Sequence, residues 1–425
     1  MTDQIKITKT DAARAYKDIK TIAGFGNRSV GSEAEQRAAD YMANEFAKVG
    51  CEVIRESFPA TTFEEKEAWL AAKLPIGRVV GKAMYFSSGS PLSGIEAELI
   101  YVSFGREDDY QGIDVKGKIV IIERDPEYWK DYFWKEATTA SQHGAVGLIL
   151  VNDNRWVSIT TLETGLFEPT KRLLPILPDS IPALVVSGTD GGKLLYAAKN
   201  FKTNVQLIIN TVISEGLSEN VRAIIPGHKS EEKKILVYAH RDSVGCPGAN
   251  DNGSGCAILL EIARALSDIR LNRTIELISL GATEIYGSAG AEDYLKRHSD
   301  TLWRIAAGIE IDTVGSGSNL SVMQGGDWPD TKIRYPETLC DFVAATASEQ
   351  GYHMGKSICS FGTPDSGRFQ TAGIASTWIW DGTDAYCHSP EDTPDKIDPN
   401  KLKIVADIAG TCIARLAMHK KSVWQ

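Results

Sequence analysis

The sequence predicts an α/β protein in which a β-rich segment interrupts one catalytic domain. Residues 235–265 read as a strand, a polar Gly-rich loop and a helix, because an apolar run is followed by apolar residues at helical spacing. From about Glu67 the character changes to short β-rich runs that are separated by turns. With 425 residues, the chain is long enough for two or three domains.

The N-terminal part of the chain predicts two helices and a strand. Residues 10–23 form the first helix, and GNRSVGS, Gly26–Ser32, is a turn cluster. The second helix carries an apolar stripe and ends near Gly50, because glycine is the usual residue just past a helix C-terminus. Residues 51–58 then follow as a strand.

The interrupting segment is predicted at residues 70–214. Its short strands are expected at residues 98–103, 117–124 and 146–152. The stretch VKGKIVIIERD, followed by a helix and GAVGLILVND, resembles the protease-associated domain. The predicted organisation is therefore residues 1–69 and 215–425 as the catalytic domain, with a β-rich, protease-associated-like insert between them.

The catalytic domain resumes with further strands and a closing helix. Apolar, β-branched runs that end in polar residues suit the buried strands of an α/β sheet. The predicted strands are Val221–Ile225, Lys234–Tyr238, Arg273–Ala282, Gly308–Gly315 and Gly373–Trp380, and the closing helix is Asn400–Met418.

The loop after the strand at residues 235–238 carries residues that suit a metal site. His240 and Asp251 offer an imidazole and a carboxylate, which are ligands for first-row metals. Asp242 follows His240 by two residues, so it can accept the second imidazole N–H and fix the tautomer. Active sites of α/β enzymes lie at the carboxyl ends of strands, and this loop is in that place.

Five segments together resemble the co-catalytic zinc peptidase family of the bacterial leucyl aminopeptidases and glutamate carboxypeptidase. That family carries H-x-D, G-A-x-D-N-x-S-G, a Glu-Glu pair, an N-L-D-like strand and Y-H-x-x-x-D-T. The resemblance implies a three-layer catalytic domain with a central mixed sheet. It also implies four metal ligands. The matching segments are His240–Asp242, Gly248–Gly255, Thr283–Ile285, Glu310–Asp312 and Cys387–Thr393, and the implied ligands are His240, Asp251, Asp312 and His388.

One motif departs from the family, because only one acid stands where the family has two. The family uses the first glutamate as the general base and the second as a metal ligand. Counting from Arg273 makes Glu284 the ligand and Thr283 the base position. Counting back from Gly290 makes Glu284 the base and Ile285 the lost ligand. We prefer the second register, since water activation needs a positioned carboxylate. It predicts one tightly bound divalent metal (Mn, Zn or Co) per chain, held by His240, Asp251 and Asp312. His388, which belongs to the family's second metal site, then either binds metal weakly or contacts the substrate.

The loss of an acidic ligand weakens the expected grip on a peptide's α-ammonium group. The sequence therefore predicts a metal-dependent hydrolase that acts on a C–N bond outside ordinary peptides. The missing acid together with the aromatic residues that flank the late motifs resembles the aminohydrolases of nitroanthranilate type, and this resemblance implies a small aromatic amine as substrate and the release of ammonia. The alternative is a metallo-aminopeptidase, and a third possibility is a non-enzymatic receptor-like relative, which the retained ligands disfavour. Catalytic roles fall to Glu284 and Asp242. Candidate substrate-binding residues are Arg241, Lys332, Arg334, Arg368 and Asp365, the last of which resembles the acid of the family's S-D-H-x-x-F turn.

Composition narrows the partners and the compartment. A formal net charge of −10 and a pI near 5.4 argue against nucleic acid as a partner. No apolar run is long enough to span a bilayer, and the first residues have no apolar core. Seven cysteines without a C-x-x-C pair indicate reduced thiols in the cytoplasm. We expect a homo-oligomer that acts on a small molecule and contacts neither nucleic acid nor membrane.

Overall fold

The computed structural model of the protein describes most of the chain and divides it into two units. The described residues are 5–7, 9–124, 134–152, 181–229, 233–284, 287–328, 331–359, 364–419 and 424. The first unit comprises Met1–Ala60, Leu217–Cys387 and Glu391–Gln425, and the second comprises Thr61–Gly216 and His388–Pro390. The predicted boundaries at residues 70 and 214 stay a prediction.

Nine α-helices and fifteen strands are assigned among the described residues. In chain order the helices are α1 (Ala12–Ala23), α2 (Glu33–Lys48), α3 (Trp134–Gln142), α4 (Gly188–Asn200), α5 (Gly253–Leu266), α6 (Ala289–Arg297), α7 (Glu337–Glu349), α8 (Asp365–Thr371) and α9 (Pro399–Met418). The strands are β1 (Glu52–Ala72), β2 (Gly77–Val80), β3 (Lys82–Ala83), β4 (Ile95–Tyr101), β5 (Ile119–Glu123), β6 (Gly147–Val151), β7 (Ala183–Val186), β8 (Asn204–Ile225), β9 (Lys234–His240), β10 (Ile275–Leu280), β11 (Ile305–Asp312), β12 (Ser321–Trp328), β13 (Thr331–Arg334), β14 (Gly355–Cys359) and β15 (Ser376–Trp380). Short 3₁₀ turns cover Glu107–Tyr110, Leu302–Arg304 and Pro394–Lys396.

The first unit is built on a mixed sheet. Its strand order is β13-β12-β15-β11-β9-β10-β8. The four inner strands β15, β11, β9 and β10 run parallel to one another. The outer pairs, β10 with β8 and β12 with β15, are antiparallel. The predicted α/β fold with a central mixed sheet is confirmed.

Helices cover both faces of this sheet, as the alternation of side chains along β9 shows. Ile235, Val237 and Ala239 pack into a core that includes residues of α1, α2, α5, α7 and α9. Leu236 and Tyr238 point to the opposite face and pack with residues of α6 and α8. Successive strand residues face opposite sides, so a strand that is buried throughout needs a helical layer on each side. These layers give the three-layer arrangement that the resemblance implies.

The helices of the first unit begin at side-chain caps that the sequence provides. The side chains of Asp11, Ser32 and Asn252 accept hydrogen bonds from backbone N–H groups in the first turns of α1, α2 and α5. Such caps satisfy N–H groups that have no partner within the helix. The cap at Asn252 lies one residue beyond Asp251, so the start of α5 also places a predicted metal ligand.

The second unit has its own parallel strands and its own core. Strands β4, β5, β6 and β7 run parallel in that order, and β3 pairs with β7 in antiparallel fashion. Strands β1 and β2 form an antiparallel pair. Buried side chains such as Val120, Leu148 and Val185 form one cluster in this unit. Among the described helices of the whole chain, none has the length and apolarity required to cross a membrane.

A buried ion-pair network ties three adjacent strands of the first unit together. The carboxylate of Glu276 on β10 accepts hydrogen bonds from Arg222 Nε on β8 at 2.5 Å and from Lys234 Nζ on β9 at 2.6 Å. Arg222 also pairs with Glu56 at 2.7 Å. Burial raises the pKa of Glu276, but the charges of Lys234 and Arg222 outweigh it and lower the pKa overall.

We predict that Glu276→Gln lowers the free energy of unfolding by about 3 kcal/mol, because removing one partner leaves buried charge uncompensated. Denaturant unfolding followed by tryptophan fluorescence measures this loss. As a control, Asp341→Asn removes the partner of Lys356 in an exposed pair and should change the free energy by less than about 1 kcal/mol. Equal losses in the free energy of unfolding for the two substitutions would show that the buried network stabilises the fold no more than an exposed ion pair does.

Candidate metal centre

The carboxyl ends of three parallel strands bring the predicted ligands to one edge of the sheet. His240 is the last residue of β9, Asp312 is the last residue of β11, and Glu284 follows β10 after a short turn. Strand β9 lies between β10 and β11 and runs parallel to both. Parallel strands end at the same edge, so this topology alone gathers an imidazole and two carboxylates.

The imidazole of His240 lies at the centre of a group of carboxylates. Its Nε2 atom is 3.3 Å from Asp251 Oδ1, 3.5 Å from Asp312 Oδ1 and 3.9 Å from Glu284 Oε1. Ligand atoms of His240, Asp251 and Glu284 all lie within 4.8 Å of one another. His240 and Asp251 are buried, and Glu284 is half-buried. Such a donor set suits a divalent transition metal.

The electrostatics of the group also suit a cation. Burial opposes protonation of His240, but the charge of Asp312 and hydrogen bonds with Asp242, Asp251 and Asp312 raise the pKa of its imidazole well above its ordinary value. Burial raises the pKa of Asp312, although His240 opposes this. Buried carboxylates are unfavourable unless a positive charge compensates them, and a divalent ion would do so.

Asp242 contacts both His240 and the segment that carries Glu284. Its carboxylate accepts hydrogen bonds from the backbone N–H groups of Thr283, at 3.1 Å, and Glu284, at 3.2 Å. Its Oδ1 atom is 3.5 Å from His240 Nδ1, and its backbone carbonyl is closer, at 3.2 Å. Burial raises the pKa of Asp242, but hydrogen bonds from His240, Thr283 and Glu284 leave it below the ordinary value. One carboxylate therefore places the histidine and the segment that carries Glu284.

Thr283 and Glu284 have different surroundings, although they are neighbours in the chain. The carboxylate of Glu284 faces His240, as described above. The hydroxyl of Thr283 instead donates to Asp365 Oδ2 at 2.8 Å. Asp365 is fully buried at the start of α8, and burial raises its pKa to about 6. Ile285, the lost ligand in the preferred register, lies outside the described residues.

The predicted substrate-binding arginines already have partners. Arg241 is buried, and its guanidinium donates to the carbonyl of Ser279 and pairs with Glu35 at 3.0 Å. Arg334 is about half-exposed and pairs with Asp327, and Arg368 lies 3.6 Å from Glu292. Binding a substrate would require these contacts to be exchanged, and the roles of these residues stay predictions.

The last motif contributes two residues that the sequence analysis did not assign to the site. Asp392 is buried, and its carboxylate accepts hydrogen bonds from the backbone N–H groups of Asn250, at 2.7 Å, and Asp251, at 3.0 Å. Burial raises the pKa of Asp392 to about 7. Cys387 Sγ lies 3.0 Å from Asp251 Oδ2. His388, which follows it in the chain, groups with the second unit and stays a predicted ligand.

The motif residues themselves were the available signal for Asp392 and Cys387. Both stand inside the segment that matched Y-H-x-x-x-D-T, with cysteine in place of the family's tyrosine. The contact of the Cys387 thiol with Asp251 depends on the fold, because 136 positions separate the two residues. No sequence pattern gives that contact.

Comparison with protein families agrees with the geometry. Residues 220–413 match the model described as Peptidase family M28, and residues 93–194 match the PA domain. The first match contains the described residues of the metal centre, His240, Asp251, Glu284 and Asp312.

Individual relatives extend over nearly the whole chain. Aminopeptidase YwaD of Bacillus subtilis (strain 168) is 26% identical over 434 aligned positions, which cover 96% of this chain and 86% of that protein. The structure of an aminopeptidase from Aneurinibacillus sp. strain AM-1 is 25% identical, with a TM-score of 0.75 and coverage of 99% of this chain and 97% of that chain. The crystal structure of a zinc aminopeptidase from Bacillus subtilis shares the fold, with 24% identity, a TM-score of 0.79 and coverage of 98% and 99%.

These findings correct the predicted activity. The prediction of a small-molecule aminohydrolase acting on an aromatic amine is wrong, because the relatives that match across the chain are named aminopeptidases. The prediction inferred too much from one missing acid. A change of one ligand position alters charge at the site, but it leaves in place the other residues that surround it.

The sequence motifs, the gathering of their residues at one sheet edge and the two family matches agree: residues 220–413 are similar to peptidase family M28, and residues 93–194 are similar to the PA domain.

Proposed function

We propose that this protein is a metal-dependent aminopeptidase, which hydrolyses the first peptide bond of a peptide or short protein segment. The observation that carries the proposal is the position of His240 Nε2 within 3.3–3.9 Å of three carboxylates from separate chain segments. The aminopeptidase relatives with similar length and fold support the choice of substrate class.

The metal in this proposal is one divalent ion per chain, and zinc is the first choice. His240, Asp251 and Asp312 would hold it, with Glu284 as the next nearest donor. Imidazole and carboxylate donors suit zinc, which is also the metal of the Bacillus subtilis aminopeptidase with this fold. When bound, such an ion polarises the scissile carbonyl and lowers the pKa of a coordinated water.

The protein's own groups hold the donors in place. Asp242 contacts His240 and accepts a hydrogen bond from the backbone N–H of Glu284. Asp392 accepts a hydrogen bond from the backbone N–H of Asp251. These partners orient the donors before any ligand arrives, and loss of such a partner commonly weakens metal binding by about 10–100-fold.

Glu284 has two possible roles, and its geometry favours that of a metal ligand. One carboxylate oxygen of Glu284 and the ligand atoms of His240 and Asp251 all lie within 4.8 Å of one another. Thr283 then occupies the position of the family's base. Its hydroxyl donates a hydrogen bond to Asp365 Oδ2. In that role Thr283 Oγ1 would accept a proton from the attacking water and pass its own hydroxyl proton to the Asp365 carboxylate.

Free cysteines support a reducing compartment, and we propose the cytoplasm. All seven cysteines are free thiols, and six of them are buried. Oxidising compartments favour disulfides in stable proteins, whereas buried thiols persist where reductants are abundant.

The first test of the proposal is peptide hydrolysis. The zinc-loaded protein should release the N-terminal residue from short peptides with a free α-amine and lose this activity in a chelator. Chromatography of the products measures the release, and N-acetylated versions of the same peptides serve as the control. Aminopeptidase activity would be refuted if the protein cleaved no member of a broad panel of peptides with a free α-amine. Equal cleavage of the N-acetylated peptides would refute it as well.

The second test concerns the metal ligand Asp251. Asp251→Ala removes a carboxylate that lies 3.3 Å from the imidazole, so zinc affinity should fall by at least about tenfold. Elemental analysis after loading and dialysis measures the bound zinc, with the exposed Asp341→Ala as the control. Wild-type zinc content in a folded Asp251→Ala protein would remove Asp251 from the site.

The third test decides the role of Glu284. Glu284→Gln keeps the shape of the side chain and removes its charge. As a ligand, Glu284 contributes to zinc affinity, and the substitution should weaken zinc binding together with turnover. As a general base, it would leave zinc affinity unchanged and lower turnover at least about a hundredfold. Calorimetric zinc titration and peptide turnover on the same protein separate the two roles, with the exposed Glu337→Gln as the control.

A further inference from the structure

The turn cluster Gly26–Ser32 has no role in the function proposed above, yet it contains the most deeply enclosed cation near the site. Arg28 has no exposed surface and is among the largest fully buried side chains of the protein. We infer that Arg28 is a positioning residue of the metal centre, which fixes the loop between His240 and Asp251. This inference rests on the metal centre of the proposed function and concerns how that centre is held.

The guanidinium of Arg28 contacts both ends of this loop. Its Nε atom donates to the carbonyl of Arg241 at 2.5 Å, directly after His240. Nη2 donates to the carbonyl of Gly248 at 2.9 Å, and Nη1 donates to the carbonyl of Pro247, three and four residues before Asp251. A guanidinium is planar and its donors point in defined directions, so one side chain sets the distance between these carbonyls.

The backbone of Arg28 adds a contact with the middle of the loop. Its N–H donates to Ser243 Oγ at 3.0 Å, and the same hydroxyl donates to the carbonyl of Cys246 at 2.9 Å. Residues 241–252 belong to no helix or strand, so they lack the regular hydrogen bonds that would fix their shape. Side chains from elsewhere must satisfy the buried carbonyls of this loop.

Gly248 is matched to this arrangement. Its φ of +57° lies in the region that side chains other than glycine rarely adopt. A Cβ atom added there would stand 2.7 Å from Arg28 Nη2 and 2.5 Å from the carbonyl oxygen of Asp251. The close approach of the guanidinium to the loop therefore requires glycine at this position.

The partners of Arg28 distinguish it from the other interior arginines. Among the described residues, no carboxylate forms an ion pair with Arg28. Its guanidinium donates to three backbone carbonyls, and its backbone N–H donates to a hydroxyl. Arg264, by contrast, pairs with Asp18, Glu45 and Glu261. A buried cation that binds only loop carbonyls acts on the shape of that loop, because removing it leaves those carbonyls without donors.

The experiment compares metal binding in the full chain of four proteins: the wild type, Arg28→Met, Arg28→Lys and Arg264→Met. The metal-free proteins are titrated with zinc against a chromophoric chelator, and with cobalt to record the absorption spectrum of the bound ion. Urea unfolding of each metal-free protein reports stability separately. Arg264→Met is the matched control, since it removes an interior arginine from a helix network outside the loop.

We expect Arg28→Met to weaken zinc binding by about 10–100-fold, the usual effect of losing a group that orients metal ligands, and to change the cobalt spectrum. Arg28→Lys should restore part of the affinity, because an ammonium group can still donate to some of the carbonyls. Arg264→Met should lower the urea midpoint and leave zinc affinity within about threefold of the wild type.

Wild-type zinc affinity and cobalt spectrum in folded Arg28→Met would overturn the inference. If Arg28→Met does not fold, Arg28→Lys decides, and an unchanged affinity and spectrum there would overturn it equally. A loss of affinity in Arg264→Met that matches the loss in the Arg28 variants would also overturn it, because the effect would then follow general stability. A wild-type protein that binds neither zinc nor cobalt would instead refute the metal centre itself.

Discussion

Everything about the site depends on the concentration of negative charge around one buried imidazole. Three carboxylates approach His240 Nε2 within 3.9 Å, and the residues come from three strand ends and one loop. Carboxylates brought this close and removed from water repel one another, and a protein keeps them only where a cation compensates the charge. The fold therefore maintains a place that favours a divalent ion.

Three layers of contact support that place. The parallel strands β9, β10 and β11 bring their carboxyl ends to one edge. Asp242 and Asp392 then bind backbone N–H groups next to the donors, and Arg28 binds the carbonyls of the intervening loop. Acidic side chains satisfy the N–H groups and a basic side chain satisfies the carbonyls. The polar backbone of a buried loop is thereby provided with partners, as buried peptide groups require.

The departure from the family motif has a narrower effect than the sequence suggested. One acid is missing from the Glu-Glu pair, and this absence by itself predicts a change of reaction. The relatives are aminopeptidases, and Glu284 still lies beside the imidazole. In the register that makes Glu284 a ligand, Thr283 stands at the position of the missing acid, and its hydroxyl donates to the buried Asp365. Three carboxylates still surround His240 in this chain.

The sequence by itself determined the fold class and named the candidate donors. Strands such as β9 and β11 are continuous apolar runs, which only a sheet covered on both faces can bury, and H-x-D with its companion motifs marks the loops that follow them. Residues close to each other in sequence, such as His240 and Asp242, could be related by spacing alone.

Only the tertiary structure decided which distant residues hold those donors. Arg28 lies more than 200 positions from the loop that it binds, and Asp392 lies 141 positions from Asp251. A single buried arginine in a turn gives no periodic signal, because its burial depends on the packing of the turn against a loop from another part of the chain. Arg241, a predicted substrate-binding residue, contacts Glu35 and the carbonyl of Ser279, and only the fold brings these three residues together. The local sequence pattern specifies the residue types of the candidate metal ligands. Long-range packing specifies which side chains form hydrogen bonds with the buried backbone groups.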